Sequence, residues 1–158
     1  MRRAIFLLLA GLGAFVSAPA LAASARAPLG QYVRWGAFRD ADGSCFAASE
    51  PVGGGPGGRR PFVTISRSPR GGPPRLHVVP SREPAAGDAL RLEIGDRTFL
   101  LRGSGGRDAR EDQRIVAAIR RADRLRVRGV DARGRRFRDD YPLAGAPSAI
   151  DAAIVGCL

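Results

Sequence analysis

Two cysteines, one histidine, two adjacent aspartates and a run of arginines are the side chains here whose chemistry could be put to use. A thiol nucleophile would require Cys45 to be free, low in pKa and served by a base. His77 is the single histidine and the base such a pair would need. It lies between Leu76 and Val78 in a strand pattern, which suits a sheet surface or rim. A Ser–His–Asp arrangement would also have to use His77, and no Gly-x-Ser-x-Gly elbow is present. A zinc site needs clustered nitrogen and sulfur ligands, and one histidine with two distant cysteines does not supply them. Asp139 and Asp140 are consecutive, and consecutive strand residues point to opposite faces, so they do not converge on one substrate. The residue types therefore point to no catalytic group, no metal and no cofactor.

Two glycine-rich stretches fail as phosphate loops. Gly53 to Gly58 reads Gly-Gly-Gly-Pro-Gly-Gly with no Gly-Lys-Ser/Thr after it, and is a flexible connection. Gly103-Ser104-Gly105-Gly106 precedes a helix, but Asp108, Glu111 and Asp112 would repel an anion there, so it reads as a linker.

The arginines are the stronger candidate. The chain has 26 Lys+Arg residues, all arginine, against 15 acids, and a net charge of +11. Such a field favours anionic partners. Arg124, Arg126 and Arg128 alternate with Leu125 and Val127 and would project from one face of a strand. Arg133, Arg135, Arg136 and Arg138 lie around and beyond the following turn. Guanidinium groups match phosphate and carboxylate bidentately, and a solvated charged face is the plain alternative. Aromatics are only 6% of the chain, which together with export disfavours nucleic acid as the partner. An anionic envelope lipid or an acidic protein fits better.

Export is read from the first residues. Met1, Arg2 and Arg3 precede an uncharged apolar run from Ala4 to Ala18, followed by Ala20-Leu21-Ala22. A basic start, a short apolar segment and an A-x-A site describe a secretory signal peptide over residues 1–22. The run is shorter than the roughly 20 apolar residues of a spanning helix, so the mature chain is expected to carry no transmembrane span. Residues 23–31 read as a flexible leader, and residues 32–158 as one domain. In an oxidising compartment two cysteines imply a disulfide, Cys45–Cys157. Closing so long a loop would stabilise the fold by about 4 to 5 kcal/mol.

The elements that must position these groups are mostly strands. Tyr32–Phe38, Cys45–Ser49, Phe62–Ser66 and Leu76–Val79 read as short strands separated by Gly, Pro and Asp turns. Leu90, Leu92 and Ile94 alternate with polar residues, Gly95-Asp96 turns the chain, and Phe99 and Leu101 continue the face as a hairpin. Ile115, Ile119 and Ala122 fall at helical spacing after Asp108 and Glu111, the spacing of a capping box. A second hairpin follows, Leu125–Val127 returning through Phe137, Tyr141 and Leu143. Pro142 suits an edge or strand end. Ile150, Ala153, Ile154 and Cys157 mark a C-terminal helix, with Pro147 in its first turn and Ser148 and Asp151 as its cap. The fold class predicted is mostly β, an antiparallel sandwich or open barrel with two short helices, one of them C-terminal.

In this order the pieces resemble the invasion-associated locus B family of exported Gram-negative envelope proteins. The matching residues are Trp35-Gly36-Ala37-Phe38, Cys45-Phe46-Ala47-Ala48-Ser49-Glu50-Pro51, Arg60-Pro61-Phe62, Leu92-Glu93-Ile94-Gly95 with Phe99, Asp112 to Arg121, and Asp140-Tyr141-Pro142-Leu143-Ala144-Gly145 leading to Cys157. The family's usual Tyr after the first Cys is Phe46 here, and its Gly-Phe-Ser before the last helix is Gly145-Ala146-Pro147-Ser148. The resemblance implies a periplasmic or outer-envelope β-sandwich with no known catalytic residues. The expectation is a non-enzymatic, periplasmic or secreted protein that binds an anionic envelope component or protein through its basic face. A periplasmic enzyme or enzyme inhibitor with an unrecognised site is the alternative.

Overall fold

The computed structural model describes residues 26–53 and 59–158. The expected signal peptide at 1–22, the first three leader residues and positions 54–58 of the glycine-rich stretch lie outside the described residues. The first sheet is an antiparallel meander of β1 (Ala27–Tyr32), β2 (Trp35–Arg39), β3 (Cys45–Ser49), β4 (Phe62–Arg67) and β5 (Arg75–Val79), in that spatial order. The second contains β6 (Leu90–Ile94), β7 (Arg97–Leu101), β8 (Arg124–Val130) and β9 (Arg136–Pro142), ordered β7-β6-β8-β9 and again antiparallel. Between β7 and β8 runs α1 (Ala109–Ile119), which packs on β5; α2 (Ala146–Gly156) lies across β1 to β4. No helix among the described residues is long and apolar enough to cross a membrane.

Alternation along the strands builds one core. Trp35 and Ala37, Cys45 and Ala47, Val63 and Ile65, and Leu76 and Val78 point inward from the first sheet. Leu90, Leu92, Ile94, Leu125, Val127, Phe137 and Tyr141 point inward from the second, and Ile115, Ile119, Ala149, Ile150 and Ala153 of the helices complete the cluster. Neither sheet closes on itself, so the architecture is a sandwich rather than a barrel. Trp35 is fully buried, and its indole N–H donates to the Pro142 carbonyl across the core at 3.0 Å.

The expected disulfide is present between Cys45 on β3 and Cys157 at the end of α2, with Cα atoms 5.8 Å apart. It fastens the last helix to the first sheet. Asp108 caps α1 as expected, its carboxylate accepting from the Glu111 N–H at 2.9 Å. Glu111 reaches back in turn to the Arg107 N–H at 2.7 Å. The linker at 103–106 is held in place: the Ser104 carbonyl accepts from Val78 N–H, and the buried Asp112 carboxylate accepts from Gly106 N–H.

Three expectations give way. The flexible leader drawn to residue 31 is strand from Ala27 onward, and Tyr32–Phe38 is not one strand but a hairpin, β1 ending at Tyr32 and β2 starting at Trp35. The turn between them is Val33-Arg34, and Val33 sits at φ +57 without being glycine or asparagine. A β-branched residue there gives no turn signal in a sequence. The cap of α2 is also different. Gly145 occupies it at φ +88 with no side-chain hydrogen bond, and Ser148 and Asp151 lie inside the helix. A Cβ on residue 145 would collide with the Tyr32 carbonyl oxygen, so the tip of the first hairpin and the start of the last helix meet only over a glycine.

Candidate anion-binding face

The outward face of the second sheet carries the arginines. Directly paired residues of adjacent strands share a face, so register decides which charges meet. Glu93, Arg126 and Asp140 form one cross-strand row on β6, β8 and β9. Arg91, Arg128 and Arg138 form the next. The first row alternates in sign and carries one acid in excess: Arg126 Nε donates to Asp140 Oδ1 at 2.8 Å, and Nη1 lies 3.4 Å from Glu93 Oε2. The second row places three like charges side by side, an arrangement that opposes sheet pairing.

The ionisation of the first row follows from these contacts. The hydrogen bond to Asp140 raises the Arg126 pKa, with Glu93 adding to it. Partial burial pushes the Asp140 carboxyl up. The bond from Arg126 and the charges of Arg126, Arg138 and Arg124 outweigh that and hold it below its ordinary value. Arg126 and Asp140 are therefore held as an ion pair at neutral pH.

The seven arginines singled out in the sequence do not act as one set. Arg124, Arg126, Arg128, Arg136 and Arg138 share the outer face, as the alternation implied. Arg126 is taken up by its two carboxylates. Arg135 belongs to the turn, where Asp131 accepts from its side chain at 2.9 Å and from the backbone N–H groups of Arg133 and Arg135. These bonds hold the Asp131 carboxyl low against the upward push of its partial burial. Arg133 is exposed on the same turn. Arg128 and Arg138 reach Glu93 at 3.5 Å and Asp140 at 2.7 Å while remaining about half exposed. Arg124 and Arg136 have no carboxylate within ion-pair distance among the described residues, and neither does Arg91.

Arg91 is the residue the sequence reading missed. Its place on the outward face of β6 was readable from Leu90-Arg91-Leu92, but its neighbour Arg128 lies 37 positions away, and the β6–β8 pairing joins them. Arg91, Arg128, Arg136 and Arg138 line an open depression of about 750 Å³ with Asp88, Ala89 and Glu93 at its sides. Gly129 and Phe137 form part of its lining. A Cβ on Gly129 would strike the Phe137 ring, so this close packing needs the glycine.

The other candidates separate as their spacing implied. Asp139 points inward and accepts from the Ser81 N–H at 2.8 Å, while Asp140 points outward. Beside Asp139, burial pushes the Tyr141 hydroxyl pKa up, with Asp139 and Glu50 adding to the effect. His77 is exposed on the outer face of the first sheet, its ring 5.9 Å from that of Phe62. Among the described residues no group of three or more His, Cys, Asp or Glu side chains is placed to hold a metal ion.

No protein-family model matches the chain, and no curated protein matches it in sequence. Its fold does match a solved structure. The crystal structure of invasion associated protein B from Bartonella henselae superposes with a TM-score of 0.54 at 18% identity, covering 80% of this chain and 95% of that one. At that identity the likeness is one of fold, which is the level at which the resemblance drawn from the residues is met.

Proposed function

We propose that this chain is an exported, non-enzymatic protein of the periplasm or cell envelope that holds an anionic partner on the outer face of its second sheet. The observation that carries the reading is the Arg91–Arg128–Arg138 row. The fold keeps three neighbouring guanidinium groups in register on a solvent-facing sheet: Arg128 and Arg138 share Glu93 and Asp140 with Arg126, and Arg91 has no carboxylate within ion-pair distance among the described residues. An anion laid across the row would relieve the repulsion and accept bidentate hydrogen bonds. The signal-peptide pattern and the Cys45–Cys157 bond support an oxidising compartment. The sandwich shared with invasion associated protein B supports a family relation, and invasion itself is not carried over.

The test is retention of the purified protein on immobilised polyphosphate over a salt gradient. The triple variant Arg91→Gln, Arg128→Gln, Arg138→Gln is expected to elute at markedly lower salt than wild type, with an unchanged far-ultraviolet circular dichroism spectrum. Arg133→Gln with Arg135→Gln, at the turn, is expected to shift elution less. Equal retention of the wild type and the triple variant overturns the reading.

A further inference from the structure

The anion-binding reading leaves open whether the partner is a protein or a lipid surface, and two apolar side chains bear on that choice. Leu100 on β7 pairs directly with Arg91 and so continues the arginine row at its far end. It is 54% exposed. Val130 follows Arg128 by two residues on β8, on the same outward face opposite Arg136, and is 37% exposed. The row Leu100–Arg91–Arg128–Arg138 crosses four strands and spans about 14 Å at the usual strand spacing. Leu100 thus ends the arginine row on β7, and Val130 adjoins it on β8, on one open sheet face.

We infer that this face docks on an anionic lipid surface, the arginines on headgroup phosphates and Leu100 and Val130 at the headgroup–acyl boundary. The inference rests on the anion-binding reading above and adds the source of the anion. Surface binding of this kind combines electrostatic attraction to anionic lipid with burial of apolar side chains. The face offers both, and its depression is wide and open rather than an enclosed pocket for a side-chain anchor. The net charge is complementary: on the strands of this face six arginines (Arg91, Arg124, Arg126, Arg128, Arg136, Arg138) stand against two carboxylates (Glu93, Asp140), with Asp88 at the side of the depression.

The experiment compares vesicles of phosphatidylglycerol and phosphatidylcholine, vesicles of phosphatidylcholine alone, soluble polyphosphate and soluble polyglutamate, with the disulfide intact. Wild type is expected to sediment with the phosphatidylglycerol vesicles and not with phosphatidylcholine, and to be released by salt. The triple arginine-to-glutamine variant is expected to lose on the order of a hundredfold in vesicle partitioning, at about fivefold per arginine near an anionic surface. Leu100→Ser with Val130→Ser is expected to lose about tenfold on vesicles and nothing on polyphosphate. Both variants change exposed positions, and a guanidinium unfolding midpoint for each confirms the fold. Unchanged vesicle binding by the leucine–valine variant overturns the lipid inference. So does binding to polyphosphate or polyglutamate without binding to the anionic vesicles, and in that case the anion-binding reading stands. Binding to none of the four overturns both.

Discussion

Reducing the Cys45–Cys157 bond is the perturbation whose size follows most directly from the structure. The two cysteines are 112 residues apart in sequence, so the bond closes nearly the whole described chain into one loop. Cross-linking over that separation removes roughly 16 cal/mol/K of entropy from the unfolded ensemble, or about 4.8 kcal/mol at 25 °C. Whole domains of this size are stable by only about 5–15 kcal/mol, so reduction leaves a marginal fold. The assay is guanidinium unfolding followed by tryptophan fluorescence, since Trp35 is the single tryptophan and is fully buried. Oxidised protein is expected to exceed reduced protein by about 4–5 kcal/mol and by roughly 15–20 °C in Tm. It is also expected to show the smaller denaturant slope, because a cross-linked unfolded chain exposes less surface. The double variant Cys45→Ala, Cys157→Ala is expected to match reduced wild type, with a small further loss at Cys45, the fully buried partner. A gap below 1 kcal/mol with equal slopes would refute the entropic reasoning. Two free thiols in unreduced, unfolded protein would refute the bond itself.

Val33→Asn is expected to raise Tm by about 4 °C, because asparagine tolerates the left-handed conformation that costs valine about 1 kcal/mol. At 72% exposure little packing is lost with the side chain, and an unchanged or lower Tm would count against strain at this turn. Asp140→Asn is expected to destabilise at neutral pH and to destabilise less in acid. The folded pKa of Asp140 is depressed, so its contribution is complete above the unfolded carboxylate value near pH 4 and fades as pH falls through the folded value. Unfolding free energies of the two proteins at pH 7 and pH 3 check this, and a gap of equal size at both would sink it.

Local signals carried much of the architecture. Gly95-Asp96 between alternating runs marked the β6–β7 hairpin, and Asp108 ahead of Ile115 and Ile119 marked α1 and its cap. What escaped was whatever depended on partners distant in sequence. β1 contains Pro28 and Gly30 and gains its strand identity from pairing with β2 and from α2 beneath it. Its turn, at Val33, has no residue that announces one. The site divided the same way. Alternation put Arg124, Arg126 and Arg128 on one face, but which of them kept a free charge depended on Glu93, 33 positions from Arg126, and on Asp140 across the hairpin. Arg91 was legible as outward-facing and illegible as a member of the row.

The helix that covers the first sheet, α2, is synthesised after β1 to β9. Strands β1 to β3 leave the ribosome long before α2, yet their inward face, with Trp35, Ala37 and Ala47, is sealed only when α2 arrives. Covering that face therefore waits for α2, since pairings this far apart along the chain close late. Until the final turn reaches Cys45, the nascent protein carries an uncovered apolar sheet, the state in which chains aggregate.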